Sequence, residues 1–299
     1  MDKSRHALLS RTPSTTPLSD SAGAASRGGA LIGPARGRDL HVMSFNVRCV
    51  VSGTVPGHPD HWPERAPLVQ EFLGLEQPTL LGIQEADFGQ LAAIRRGLPE
   101  GYRMIGFGRE GRSVGEYSAV FYDSRRLEVL EWQQWWLSST PEVVASRSWG
   151  NSVPRIVTWG RFADRATGAQ FVAANTHFDH ESEPARIKSA ELLVTLADRF
   201  ADLPLVVMGD FNDLADASAS YTRLVDDGPF ANAWETAGKR LTPGWGTFTD
   251  YGPPVEGAKV IDWILTSPDV SVHQAAINTW NDAGRWPSDH AAVQALVTL

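Results

Sequence analysis

Five short apolar runs in this 299-residue sequence begin or end at a polar cluster. The sharpest case is Leu205-Val206-Val207-Met208, which runs into Gly209-Asp210-Phe211-Asn212. A run this short and apolar reads as a buried strand. Period-2 alternation then sets Asp210 and Asn212 on one face of the strand exit and turns Phe211 into the core. Three more runs end the same way: one at Ser44-Phe45-Asn46-Val47-Arg48, one at Gln84-Glu85, and one at Asn175-Thr176-His177, followed by Phe178-Asp179-His180. The fifth cluster, Ser288-Asp289-His290, precedes the last apolar run, and Asp262 lies inside another, Val260 to Leu265.

Strand-like stretches recur at 40–45, 79–83, 102–106, 118–122, 127–136, 156–162, 171–175, 205–208, 260–266 and 291–299. Helical spacing is clearest over 184–200, where Ile187, Ala190, Leu193, Val194, Ala197 and Phe200 share a side. Residues 62–75, with Pro63 suited to a first turn, and 88–98 also read as helices. Many strands with few helices do not make a doubly wound parallel sheet. They predict an α/β protein of two packed mixed β-sheets flanked by helices, a four-layer α/β sandwich.

The order Asn46, Glu85, His177, Asp210 with Asn212, Asp262, then Asp289-His290 resembles the endonuclease/exonuclease/phosphatase superfamily, whose fold is DNase-I-like. The resemblance runs from about Leu40 to the C-terminus. Trp136 to Glu142, Ser148-Trp149-Gly150 and Pro154-Arg155 look more like a bacterial subgroup of metal-dependent hydrolases. The resemblance implies a divalent-metal-dependent phosphoesterase that attacks a phosphodiester or phosphomonoester in line with water.

Such hydrolysis needs a hard cation on the phosphate, and Mg²⁺ or Mn²⁺ takes oxygen ligands. The expected metal set is Glu85, Asn46 and Asp289. His290 is expected as general base with Asp262 as its orienting carboxylate: an Asp inside an apolar strand is costly without a partner, and the resemblance implies that these two positions lie together. Asp210 and Asn212 would position the attacking water, and Asp210 is the alternative base. His177 would donate to a phosphate oxygen or protonate the leaving group. Arg155 is a candidate phosphate clamp, set against a plain surface arginine at a strand start. His180 and Trp149 are further substrate-binding candidates, and Trp245, Phe248 and Tyr251 are placed to stack a base or sugar ring. The His spacing at 177 and 180 also leaves a zinc site open.

Composition narrows the partners. The chain carries −8 overall, and the six cationic and two acidic side chains of residues 1–38 make that segment +4, leaving −12 on residues 39–299. Avid binders of long nucleic acid carry a basic footprint. The acidic remainder therefore favours a phosphorylated small molecule or a short nucleic acid, with a DNA or RNA nuclease as the alternative and a binding protein with a retired site as a second. No protein partner is evident. Residues 1–38, rich in Ser, Ala, Gly and Arg and without aromatics, are expected to be a disordered tail before one catalytic domain, 39–299. No secretory signal or membrane-spanning stretch is recognisable, so neither membrane insertion nor export is expected, and the cytoplasm is the expected location. Cys49, the single cysteine, excludes an intramolecular disulfide and reads as a structural thiol. Most of the eleven Trp read as core.

Overall fold

The structure is a computed structural model and describes residues 29–299. The first 28 residues of the expected tail lie outside the described residues. The expected boundary at residue 38 falls within ordered chain, because the amides of Leu31, Ile32 and Gly33 donate to the buried Glu76 carboxylate at 2.7, 3.3 and 3.1 Å. Asn278 Nδ2 completes that cradle at 2.9 Å.

Among the described residues, thirteen strands and three main helices follow in the order β1 (Leu40–Asn46), α1 (Trp62–Glu76), β2 (Leu80–Gln84), α2 (Leu91–Gly97), β3 (Tyr102–Ile105), β4 (Val120–Asp123), β5 (Leu127–Trp136), β6 (Ile156–Asp164), β7 (Gln170–His177), α3 (Glu183–Arg199), β8 (Leu205–Asp210), β9 (Ala231–Asn232), β10 (Lys239–Arg240), β11 (Asp262–Thr266), β12 (Ser271–Asn278) and β13 (Ala292–Thr298). One sheet has the order β10-β12-β13-β1-β2-β4-β3 and the other β5-β6-β7-β8-β11-β9. Both are mixed: β1 runs parallel to β2 and β7 to β8, among antiparallel neighbours. The expected four-layer α/β sandwich is the observed architecture.

Alternation along each strand sorts the side chains into layers. Val42, Leu80, Val120, Phe171, Ala173, Val206, Met208, Ile264 and Val293 meet between the sheets. Met43, Phe45, Leu81 and Ile83 face outward under Phe72, Leu73 and Ile94 of α1 and α2. Val172, Ala174, Leu205, Val207 and Trp263 face outward on the other side, under Ala190, Leu193 and Leu196 of α3. The helix starts follow local chemistry: Pro63 sits in the first turn of α1, and the Ser182 hydroxyl caps α3 by accepting from the Ala185 amide at 3.3 Å.

Several bounds differ from the sequence reading. The second helix starts at Leu91 rather than Phe88, because residues 88–90 form a turn closed by the Gln90 side chain on the Asp87 amide at 2.9 Å. β12 had no clean alternation to reveal it, since its register shifts between Val272 and Gln274. β9 and β10 are two residues each, too short to carry a period.

The layer between the sheets turns polar toward the strand ends. Gln84 Nε2 donates to Asn175 Oδ1 at 2.6 Å, and Asn175 Nδ2 donates to the carbonyls of Ile83 and Ala119 at 2.8 and 2.9 Å. The sheets come this close because residue 82 is Gly: a Cβ there would lie 2.6 Å from both Asn175 Oδ1 and Met208 Cγ. Gly82→Ala is expected to lower the unfolding free energy by about 1–3 kcal/mol through overpacking. Denaturant melts check this, and a variant as stable as the parent would show that the sheets part freely.

Candidate functional site

Strand register assembles the site. β7 pairs with β8 so that His177 stands opposite Asp210, and β8 pairs with β11 so that Asp210 stands opposite Asp262. Three ionisable side chains thus stand abreast at the ends of adjacent strands, all buried. On the facing sheet, Asn46 ends β1 opposite Gln84, and Glu85 leaves β2 with φ of 63°. Arg48 and Asn212 leave their strands at φ of 56° and 49°. Left-handed backbone costs an L-residue about 1–2 kcal/mol. All three residues line the cleft, so the turns hold their side chains over it.

Phe211 is fully buried as expected, stacked on Trp263 at 4.2 Å between ring centroids. Asn212, however, reaches the cleft through a turn and not through the pleat. Its amide donates to Asp210 Oδ1 at 2.9 Å, and its left-handed φ swings the side chain back toward His177.

His290 arrives from the segment before β13 and closes the row. Its Nδ1 lies 2.9 Å from Asp262 Oδ2, and its Nε2 lies 3.8 Å from Asp210 Oδ2. Asn46 Nδ2 donates to Glu85 Oε1 and to Asp210 Oδ2, both at 2.9 Å, and so ties the two sheets together. Arg65 of α1 fastens the loops that carry these groups: its guanidinium donates to the carbonyls of Val47, Arg48, Cys49 and Pro287 at 2.8 to 3.2 Å.

Burial works against the His290 cation, but Asp262 beside Nδ1, with Asp210 and Asp289, outweighs it and raises the imidazolium to about 10. Burial and the charge of Asp262 raise the Asp210 carboxyl to about 7, against the pull of His290 and Asn46. Burial raises Glu85 as well, but the Asn46 hydrogen bond, His290 and the Cys49 amide leave it below the usual carboxylate value. Burial, and next the charge of Arg155, holds His177 well below the usual imidazole value. The row therefore divides its roles at neutral pH: a cationic His290, a neutral His177, an ionised Glu85 and an Asp210 near its midpoint.

These groups line a cleft of about 440 Å³. A sequence model of the endonuclease/exonuclease/phosphatase family matches residues 43–290, a span that begins beside Asn46 and ends at His290. The chain belongs to the endonuclease/exonuclease/phosphatase family. An endonuclease/exonuclease/phosphatase from Bacteroides vulgatus is 34% identical, with a TM-score of 0.80 over 87% of this chain and 99% of that one. The mannosyl-6-phosphatase of Bacteroides thetaiotaomicron is 32% identical, with a TM-score of 0.80 over 87% of this chain and 100% of that one. The human Nocturnin catalytic domain, at 20% identity and a TM-score of 0.66 over 87% of this chain and 93% of that one, shares the fold. No curated protein matches the sequence. The sandwich is thus DNase-I-like, and members of the family are hydrolases that act on phosphoester bonds.

Within this endonuclease/exonuclease/phosphatase site, most of the residues marked in the sequence converge. Glu85, Arg155, His177, His180, Asp210, Asn212, Asp289 and His290 line the cleft, and Asn46 and Asp262 bond to its lining. Arg155 is buried and not a surface residue; its Nη2 lies 2.8 Å from His180 Nδ1. Trp149 is outside the cleft. It packs on the cluster beneath α3, and its carbonyl takes the Ser182 hydroxyl at 2.7 Å.

Two orientations differ from expectation. Asn46 turns its nitrogen to the carboxylates, since those accept only, and its oxygen accepts from the Arg48 amide at 3.0 Å. His177 Nε2 is already in contact with the Asn212 side-chain nitrogen, at 2.9 Å, before any substrate is present. Of the expected metal set, only Glu85 belongs to the trio Glu85, Asp210 and His290 whose ligand atoms all lie within 4.8 Å of one another among the described residues. Asp289 instead faces Arg48, at 3.5 Å.

Of the three aromatics expected to stack a ring, Phe248 lines the cleft, whereas Tyr251 turns its hydroxyl to Asp60 at 2.9 Å. Arg109 and Glu116, absent from the sequence candidates, line it too. They sit in a loop without period or motif. Cys49 also lies on the lining, and burial with Glu85 pushes its thiol up to about 12, which suits an inert thiol.

The pairing of His290 with Asp262 has a direct check. In metal-free protein the His290 imidazole is expected to remain protonated through neutral pH by NMR titration. Removing the Asp262 charge removes the main force holding the proton, so Asp262→Asn is expected to lower the His290 pKa. A wild-type His290 that titrates below pH 7 would overturn this pairing.

Proposed function

We propose that the protein is a divalent-metal-dependent phosphoesterase that hydrolyses a phosphate ester of a small polar molecule, foremost a phosphorylated sugar. The observation that carries this reading is the row His177, Asp210 and Asp262, closed by His290 and faced by Glu85. The sugar is brought in by the similarity to a mannosyl-6-phosphatase at 32% identity over 87% of the chain. The charge of −12 on residues 39–299 speaks against a long polynucleotide.

The donor set fits a hard cation. Glu85 and Asp289 share the Arg48 guanidinium, at 3.7 and 3.5 Å, so a positive charge already sits between them. Glu85 is the residue to hold Mg²⁺ or Mn²⁺, with Asp289 and the Asn46 amide as further oxygen sources once Asn46 turns its oxygen inward. When bound, the ion supplies Lewis-acid polarisation of a phosphoryl oxygen.

The chain's own groups do the rest. Arg155 anchors a non-bridging oxygen, and the buried His290 cation neutralises charge that grows on the phosphoryl group. Asp210, held near 7, takes the proton of the attacking water. Asn212 and His177 fix the Asp210 side of the cleft, and Asp262 keeps His290 charged and aligned.

Hydrolysis of a panel of sugar phosphates, nucleotides and single-stranded DNA under Mg²⁺ or Mn²⁺ tests this. The expected result is metal-dependent turnover that Asp210→Asn lowers on the order of 100- to 10,000-fold and Glu85→Gln lowers together with metal affinity. The acid limb of kcat/KM is expected to rise as Asp210 loses its proton. Absence of metal binding, or hydrolysis indifferent to both substitutions, would sink the reading.

A further inference from the structure

One charged group on the cleft wall has no part in the hydrolysis described above. Glu116 lines the same cleft, close enough to Arg109, Arg155 and Glu85 to feel their charges. Its Oε2 accepts from Arg109 Nη1 at 2.7 Å. Its Oε1 accepts no hydrogen bond from any described residue, and the side chain keeps 22% of its surface open. A half-paired carboxylate beside a phosphate site works against an anionic substrate. Burial raises its pKa, against the pull of Arg109, and the charge of Glu85 adds to the rise. A substrate that displaces water from that oxygen must replace the lost hydrogen bonds with donors of its own.

The loop that carries Glu116 is already ordered. Arg109 and Glu116 pair through backbone at 2.9 Å, Gly108 donates to the Arg112 carbonyl at 2.8 Å, and Trp136 Nε1 donates to the Arg109 carbonyl at 2.6 Å. Phe107, just before it, donates to Gln134 Oε1 at 3.0 Å. The carboxylate therefore loses little freedom when it meets a ligand. At the mouth, Phe248 is 46% exposed, with its ring edge-on to His290 at 5.1 Å. An open aromatic face together with a carboxylate–guanidinium pair matches the two surfaces of a sugar, its C–H face and its hydroxyl rim.

We infer that Glu116 is the specificity-determining residue that accepts hydroxyl hydrogens of a polyol leaving group, so that the site selects phosphorylated sugars over other phosphate esters. This inference rests on the phosphoesterase reading of the site. Arg109 holds the carboxylate in place, and Phe248 covers the sugar's apolar face.

The test pairs enzyme and substrate changes. A hexose 6-phosphate and its single-deoxy analogues are hydrolysed under Mg²⁺ by the wild-type protein and by Glu116→Gln. With the wild type, at least one deoxy analogue is expected to lose about 10- to 100-fold in kcat/KM, and with Glu116→Gln that same loss is expected to shrink to about 3-fold or less. The wild-type series does not depend on how well any variant folds. If no deoxy analogue is penalised, or if the penalty is the same in both proteins, Glu116 does not read the sugar. A wild-type protein that turns over no phosphate ester under metal fails earlier: it overturns the phosphoesterase reading, and this one with it.

Discussion

Four ionisable groups are buried together where the two sheets face each other, and the rest of the site follows from how that cost is met. Asp210, Asp262, His177 and His290 each expose 7% of their surface or less. Isolated charges there would be expelled or neutralised. The contact of His290 with Asp262 at 2.9 Å joins a cation to an anion, and Asn46 supplies Asp210 with a donor at 2.9 Å. Burial, and next the charge of Asp262, lifts Asp210 toward neutrality, while the two carboxylates together hold the proton on His290. The same electrostatics that let the cluster be buried give its members different protonation states.

The sheets must be close for this to work, and small residues allow it. Gly82 lets Asn175 and Met208 approach β2, and Gly209 stands where a Cβ would lie 2.5 Å from the Thr176 carbonyl of β7. With those strands tight, His177 and Asp210 sit side by side at the strand ends. The loops then complete the cleft, and the buried Arg65 binds two of them through four carbonyl contacts. The result is a cleft with a buried charged floor and a more open rim, where Glu116 and Phe248 are part of the lining.

Much of the fold was legible because strand burial leaves a local trace. The run from Leu205 to Met208 and the stretch 127–136 announced their strands, and β5 occupies Leu127–Trp136 in the structure. β12 left no trace, because its bulge breaks the alternation that a local reading depends on. At the site, Glu85, Asp210 and His290 were legible as polar residues at the edges of apolar runs, and Asp262 as a polar residue inside one. Trp149 misled because a Trp between glycine and serine looks like a loop aromatic, yet it packs under α3. Arg109 and Glu116 were not legible, since nothing in a loop of mixed composition says which side chains turn inward.

What the sequence determined by itself is the set of chemical groups and the strand ends that carry them, because period-2 alternation and burial act over a few residues. What the tertiary structure decided is who meets whom. Asn46 bonds to Asp210 across 164 residues, and His290 to Asp262 across 28. The orientation of Asn46, the contact of His177 with Asn212, the Arg48 guanidinium between Glu85 and Asp289, and the second oxygen of Glu116 all follow from sheet register and loop path. Those contacts depend on distances across the fold, and no short stretch of sequence contains them.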